Sequence, residues 1–348
     1  MNLQLRKLNE QTVVITGASS GIGLATARLA AERGANVVVA ARSEEALRQL
    51  VEEIKARGGE AIHVVADVSR EEDHRRIADA AIRRFGGFET WINNAGVSIY
   101  GKLMEVSIED QRRLFDTNFW GIVYGSRVAA EHLRGRGGAL INVGSTVSDR
   151  AIPLQGAYSA SKHAVKGYTD ALRMELEADH APISVTLIQP GSIDTPFTQN
   201  AKNYMEVEPT VPPPVYAPEV VAEAILHCAE HPERNVFVGG GGKAISAANN
   251  YAPRLTDKLM EWTMFDAQKS DRPVHGPEDN ALYQASERLS ERGKYEGHVA
   301  KSSLYTKASL HPMLTGALLV GAGLALAAWL RPTASSNGNG HSGTNGGR

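Results

Sequence analysis

A β-branched apolar run, TVVIT at residues 12–16, leads into the glycine-rich turn TGASSGIG and then into the helical pattern LATARLAAERG. A strand delivered onto a helix through such a turn commits the chain to a βαβ beginning, because glycine tolerates backbone conformations and close approaches that a side chain would block. The alternation then repeats. NVVVA, AIHVVA, TWINN, ALINV, ISVTLI and NVFVG follow, with helical patterns at Gly21–Arg33, Glu44–Arg57, Ile108–Leu133, Ala157–Ala178 and Pro218–Ala229. Seven strands that are apolar almost without interruption belong in a parallel sheet covered on both faces. The expected fold class is therefore α/β, a doubly wound parallel seven-stranded sheet. Helix starts are marked by Ser69 with Glu72, which reads as a capping box, and by Ser107.

Composition narrows the function classes. The 348 residues are 42% hydrophobic and 22% charged, enough for one large α/β domain with appendages. A formal net charge of -2, without runs of Lys or Arg interleaved with aromatics, argues against nucleic acid as a partner. The single cysteine, Cys228, lies in an apolar helical pattern with Val220, Val221, Ala224 and Ile225, which suits a buried thiol and excludes an internal disulfide framework. Histidines such as His132, His163 and His180 are scattered without metal-ligand spacing, and no metal is expected.

Beyond Gly240 the strand signal disappears, so the expected domains are 1–240 as the catalytic α/β part, 241–312 as a helical extension and linker, 313–330 as a transmembrane helix and 331–348 as a disordered tail. In the extension, Ala244–Phe265 carries Leu255, Leu259, Met260 and Trp262 on helical spacing and reads as one amphipathic helix, docked on the domain or lying at a membrane interface. The stretch MLTGALLVGAGLALAAWL holds eighteen residues without a charge, long enough to span a bilayer, with small residues Ala317, Gly321 and Ala325 four apart. Arg292, Lys294, Lys301 and Lys307 precede it, and the N-terminal MNLQLRKLNEQ lacks a signal-like apolar run. Both place the globular part on the cytoplasmic side of a membrane anchor, with a soluble cytoplasmic protein as the second choice.

The glycine turn is expected to hold a dinucleotide. Gly17 permits the turn, Gly21 lets the backbone approach a pyrophosphate and Gly23 lets the helix pack closely on the sheet, while Ser19, Ser20 and Ile22 face the same phosphates at the helix N-terminus. At the end of the second strand, where a carboxylate would bond the 2′-hydroxyl of NAD, stand Ala41 and Arg42. A guanidinium suits a 2′-phosphate, so the expected cofactor is NADP(H), with a solvated arginine as the plain alternative.

The spacing Gly-x-x-x-Gly-x-Gly, followed in order by Asn93-Asn94-Ala95-Gly96, Asn118, Ser145, Tyr158-x-x-x-Lys162 and Pro190-Gly191, resembles the short-chain dehydrogenase/reductase family over about residues 10–240. The resemblance implies a Rossmann-type fold. It further implies that Asp67 and Val68 contact adenine, that Asn94, Ala95 and Gly96 back the adenosine side, and that Pro190, Gly191, Ile193 and Thr195 lie by the nicotinamide. Lys162 would hold the nicotinamide ribose, Asn118 would help hold a water beside Lys162, and the helices bearing Asn118 and Tyr158 would join a homo-oligomer.

The residues themselves supply a chemical reason. Tyr158 and Lys162, four apart in a helical pattern, share one face, and an ammonium beside a phenol is expected to lower its pKa toward a usable acid/base. Ser145, at the end of ALINVGS, can hydrogen-bond a substrate oxygen where charge develops. Residues 196–217, with Phe197, Tyr204 and Pro212-Pro213-Pro214, read as a substrate lid. The expected function is an NADP(H)-dependent oxidoreductase interconverting a carbonyl and an alcohol on a small molecule, with a lipophilic substrate suiting a membrane tether. The alternative is a non-catalytic dinucleotide-binding sensor or scaffold.

Overall fold

The structure, a computed structural model, describes residues 3–274, 280–286, 288–311 and 315. Met1–Leu310 form one compact unit and His311–Arg348 a second. Of the second unit only His311 and Thr315 are described, linked by the Thr315 N–H donating to the His311 carbonyl at 3.0 Å.

The first half of the main unit runs β1 (Thr12–Thr16), α1 (Gly21–Glu32), β2 (Asn36–Ala41), α2 (Glu44–Ala56), β3 (Ala61–Val65), α3 (Glu71–Phe85) and β4 (Thr90–Asn93). The second half runs α4 (Ile108–Phe115), α5 (Gly121–Leu133), β5 (Gly138–Val143), α6 (Gly156–Ala178), β6 (Ile183–Pro190), α7 (Pro218–Glu230) and β7 (Asn235–Val238). All seven strands are parallel, in the order β7-β6-β5-β4-β1-β2-β3. The chain moves outward from β1 to β3 and then returns to the other side of β1 as β4. A crevice opens beyond the carboxyl ends of β1 and β4, the place where ligands bind in sheets of this kind.

Strand period explains how both faces are covered. Val13 and Ile15 join the core with Leu24 and Ala27 of α1 and Val221, Ala224 and Ile225 of α7. Val14, between them, points the other way, into a core with Ile77 and Ala81 of α3 and Ala129 and Leu133 of α5. All three β1 residues are fully buried, and each such side chain contributes about 1.5–3 kcal/mol of burial. Cys228 is fully buried in the α7 layer, and burial pushes its thiol pKa up.

Several local expectations are corrected. Ser69 does not cap α3. Its hydroxyl donates to Asp67 Oδ1 at 2.8 Å, and the helix starts after Arg70 without a side-chain cap. Ser107 does accept the Asp110 N–H, at 3.1 Å. The helical stretch 108–133 is interrupted at Asn118, as the family resemblance implies for that residue, by a wide π-turn at Asp116–Trp120 in which Asn118 bonds the neighbouring loop.

The helix expected over 244–265 is two helices, α8 (Gly240–Tyr251) and α9 (Pro253–Ala267). Pro253 has no N–H to continue α8, and Ala252 leaves helical geometry at φ -142. Of the four apolar residues expected on one face, only Met260 is buried. Leu255, Leu259 and Trp262 are exposed. Strands also persist past residue 240, since Lys269–Pro273 pairs antiparallel with Val207–Pro209 and Val299–Ala300 pairs with Val215–Tyr216. Runs this short and polar carry no alternation to detect. A last helix of the unit, α10 (Leu304–Leu310), packs against β7 and α7.

The charge-free stretch 313–330 lies outside the described residues except for Thr315, as does the tail 331–348. Among the described residues no helix is long and apolar enough to cross a membrane.

Candidate active site

At the end of β1 the chain turns through Gly17, whose φ of 68° lies in the left-handed region. A Cβ there would stand 2.7 Å from the Ala95 Cα, so only glycine lets the β1 turn and the loop after β4 touch. Asn94 locks the two together, its Nδ2 donating to the carbonyls of Thr16 at 2.9 Å and Gly17 at 3.2 Å. Gly23 is a packing residue, because a Cβ on it would lie 2.2 Å from the Gly17 carbonyl oxygen. The N-terminus of α1 faces the crevice, with no side-chain cap from Ser20.

A cavity of about 350 Å³ occupies the crevice. Gly17, Ser19, Ser20, Gly21, Ile22, Arg42, Asp67, Val68, Asn94, Ala95, Gly96, Pro190, Gly191, Ile193 and Thr195 line it, as do Ser145, Tyr158 and Lys162. Of the expected site residues, Gly23 and Asn118 are not in the wall. Both are buried behind it.

At the far end from Tyr158, Arg42 follows Ala41 out of β2 and donates through Nη2 to the Ala281 carbonyl. Burial lowers its pKa, and Arg113 adds to this while Asp67 opposes it. Arg113 donates to Asp67 Oδ2 at 2.8 Å and to Ser69 Oγ at 2.7 Å. Burial would raise the Asp67 carboxyl, but the Ser69 N–H and hydroxyl and the Arg113 guanidinium hold it below its ordinary value. Arg42 therefore lines the cleft without a carboxylate salt bridge among the described residues, while its acidic neighbour Asp67 is already matched by Arg113.

At the other end three elements converge. Ser145 sits just past β5, and Tyr158 and Lys162 lie on the first turns of α6, 8% and 3% exposed. The Ser145 hydroxyl lines the cleft with the Tyr158 phenol and also accepts the Val147 N–H at 3.3 Å, so a strand-end cap and a site residue are one group. Lys162 Nζ donates to the Val143 carbonyl at 2.8 Å and stands 5.7 Å from the centre of the Tyr158 ring. Asn118 accepts the Val97 N–H at 2.8 Å through Oδ1, and its Nδ2 donates to the Val97 carbonyl at 2.9 Å and to Ser161 Oγ at 3.2 Å. Gly96 borders both Asn118 and Lys162. A Cβ on it would lie 3.4 Å from Asn118 Oδ1 and 3.8 Å from Lys162 Nζ, so the missing side chain leaves a gap beside the amide and the ammonium.

The electrostatics depart from expectation. Burial pushes the Tyr158 phenol up to about 12, opposed by the Ser145 hydrogen bond, and burial brings Lys162 down to about 8. The phenol lies above its ordinary value with the ammonium nearby, because desolvation of the charged form is the leading influence on both groups.

The remaining wall beside Tyr158 is mostly apolar. Val97, Tyr100, Val147, Ile152, Phe197 and Val211 line it with Pro212, Pro213 and Pro214, and α9 adds Met260 and Met264. The Phe197 ring meets the Tyr158 ring edge-on at 5.5 Å. Ser98 and Gln155 supply polar groups, with Gln155 Nε2 donating to Ser98 Oγ at 3.0 Å. Tyr204, expected in the substrate lid, is not in the wall, and its hydroxyl donates to Asp110 Oδ2 at 2.7 Å. The helical spacing of residues 260 and 264 could have disclosed the two methionines. Nothing in the sequence announced Arg113 or the contribution of Ala281, Ala285 and Ser286.

The glycine turn, Arg42 at one end and the Ser–Tyr–Lys cluster at the other thus share one cleft on a Rossmann-type sheet. Residues 11–206 match the family described as short chain dehydrogenase, and the chain belongs to that family. It is 51% identical over 330 residues to the uncharacterized oxidoreductase YxnA of Bacillus subtilis, covering 94% of this chain and 92% of that one. Among solved structures it resembles a short chain dehydrogenase/reductase of Burkholderia phymatum in complex with NAD, at 27% identity and a TM-score of 0.66, covering 72% of this chain and 96% of that one. It also resembles an alcohol dehydrogenase of Thermococcus sibiricus complexed with 5-hydroxy-NADP, at 26% identity and a TM-score of 0.58, covering 65% and 95%. Family membership makes the chain an oxidoreductase and sets aside the sensor or scaffold alternative.

Proposed function

We propose that this chain is an NADP(H)-dependent oxidoreductase that interconverts a carbonyl and a secondary or primary alcohol, with Tyr158 as general acid and base. The observation that carries it is the meeting of Ser145, Tyr158 and Lys162 in one buried cleft whose other end is the Gly17–Gly23 turn. The residues fit a dinucleotide. Gly17 and Gly21 both keep left-handed backbone clear of side chains, with the Gly21 Cβ position only 3.0 Å from the Thr195 side chain. The bound cofactor supplies the hydride, or receives it, at the nicotinamide.

The protein's part is positioning and proton transfer. A phenol kept neutral by burial is the form able to protonate an alkoxide oxygen during reduction, and the same oxygen takes the proton back from an alcohol during oxidation. Ser145 donates to that substrate oxygen as charge builds on it. Lys162 holds the nicotinamide ribose hydroxyls and, while protonated, steadies the phenolate left behind. Asn118 acts from behind the wall, where the gap at Gly96 gives a water room to join its amide to Lys162.

Arg42 supports NADP(H) over NAD(H), since among the described residues its guanidinium bonds a carbonyl and no carboxylate, leaving donors for a 2′-phosphate. Asp67 and Val68 would flank the adenine. Among the described residues of the cavity wall the charged ones are Arg42, Asp67 and Lys162, all assigned to the cofactor, which favours a neutral, lipophilic carbonyl compound or alcohol as the substrate. NADPH oxidation against a carbonyl library of small sugars, quinones, polycyclic ketones and long-chain acyl ketones tests this. Turnover of bulky neutral ketones is expected, and a protein that binds NADPH yet turns over none of the library would overturn it.

The charge-free stretch 313–330 favours anchoring of the full chain to a membrane with the catalytic unit on the cytoplasmic side, and the exposed Leu255, Leu259 and Trp262 of α9 would suit a nearby lipid surface. Flotation with zwitterionic vesicles that survives alkaline carbonate is expected, and a chain left wholly in the unfloated fraction would contradict it. Exposed Trp120 and Met174, next to α5 and on α6, support a homo-oligomer through these helices, which sedimentation would test.

A further inference from the structure

Residues 280–286 and 288–293 lie beyond the part of the chain matched to the family, yet Ala281, Ala285 and Ser286 line the dinucleotide cleft and the residues from Ser290 to Gly293 fasten onto elements that border it. At the Arg42 end, the carbonyl of Ala281 accepts from Arg42, and the carbonyl of Leu282 accepts from Arg113 Nε at 3.1 Å. Leu282 itself is fully buried in the cluster that contains Val97 and Tyr158. Beside the glycine turn, the Gly21 N–H donates to the Ser290 carbonyl at 2.9 Å, and Glu291 pairs with Arg28 of α1 at 3.3 Å. At the Thr195 end, the Gly293 N–H donates to Asp194 Oδ1 at 3.1 Å. A Cβ on Gly293 would stand 2.5 Å from the Thr195 carbonyl oxygen, so only glycine brings the segment this close.

From these contacts we infer that this segment is a strap closing the dinucleotide site, so that the cofactor leaves or enters only when the strap lifts. This rests on the cofactor reading given above. The strap contributes Ala281, Ala285 and Ser286 to the cavity wall, and its contacts with Arg42, Gly21 and Asp194 fall at three places along a dinucleotide lying from Arg42 to Thr195. Its outer fastenings are weak enough to release. Glu291–Arg28 and Arg292–Glu219 are partly exposed pairs, and such pairs add little. Irregular chain held by separate hydrogen bonds and one buried leucine, with no continuous ladder among the described residues, belongs to the part of a fold that opens locally.

The strap is also tied to the substrate side. Tyr283 and Tyr204 donate to the two oxygens of a single carboxylate, Asp110, each at 2.7 Å. Tyr204 belongs to the 196–217 segment beside the substrate, so lifting the strap and loosening that segment draw on the same residue.

Two measurements on the full chain test the strap. In the wild type, tryptic cleavage after the exposed Arg288 should slow at least tenfold when NADPH is saturating. In the Tyr283→Phe, Glu291→Gln double variant, release of NADPH chased by excess NADP⁺ in stopped flow should quicken at least tenfold, with the melting temperature nearly unchanged. Saturable NADPH binding without protection of Arg288, or with an unchanged release rate in the variant, overturns the strap alone. Failure of the wild type to bind either NADPH or NADH overturns the cofactor reading together with it.

Discussion

Lys162 Nζ stands 5.7 Å from the centre of the Tyr158 ring but spends its hydrogen bond on the Val143 carbonyl, 2.8 Å away. The pair is thus set by α6 and by the end of β5 together, and both members are almost out of reach of water. Burial of the ammonium costs stability and gives the site a titration in the working pH range.

With a folded-state pKa of about 8 against an ordinary 10.5, Lys162 is an ammonium below about pH 8 and neutral above it. If the charged form is required, kcat/KM for reduction falls as pH rises through 8. Lys162→Arg should move that limb beyond pH 10, since guanidinium keeps its proton, even if the absolute rate is lower. A wild-type profile flat to pH 10 would contradict this.

The same shift predicts stability. Between pH 8 and 10.5 the unfolded chain binds the Lys162 proton and the folded chain does not, so this group's contribution to stability rises with pH across that window. At pH 7 the buried ammonium costs on the order of 3 kcal/mol. Lys162→Met should therefore raise the melting temperature at pH 7 by several degrees while abolishing turnover. A lower melting temperature would show that the Val143 hydrogen bond outweighs desolvation.

Arg42→Ala should raise the KM for NADPH at least tenfold and leave the KM for NADH within about twofold, since the lost donors serve only the 2′-phosphate. Comparison of the two coenzymes at saturating substrate checks it. Equal losses would mean that Arg42 holds the Ala281 carbonyl and nothing in the cofactor.

Asn118→Leu leaves the buried N–H and carbonyl of Val97 without partners. Each unsatisfied group costs about 1–3 kcal/mol, so a melting temperature lower by roughly 5 °C or more is expected, together with reduced turnover. Circular dichroism melts decide it, and an unchanged melting temperature would remove the structural half of the residue's role.

What could be read beforehand follows from the range of each interaction. The seven strands were legible because Val, Ile and Thr runs such as TVVIT and ISVTLI occur at regular intervals, and the Ser145, Tyr158 and Lys162 set was legible because two of them share a helical face. The break at Pro253 is equally local, but the apolar spacing across 255–262 reads straight through it. Other features depend on chain segments meeting from afar. Arg113 pairs with Asp67 from 46 residues away, and Arg42 meets Ala281 from 239. The direction of the Tyr158 pKa shift lies beyond the sequence for the same reason, since the depth of burial is a property of the packed molecule.

The most direct measurement follows a deuterium atom. Wild-type protein given a neutral ketone that it turns over and NADPH deuterated at the transferring position should place the label on the carbinol carbon. Tyr158→Phe should bind the same NADPH with similar affinity and transfer at least a thousandfold more slowly. Label transfer at the wild-type rate in Tyr158→Phe would contradict the role given to the phenol.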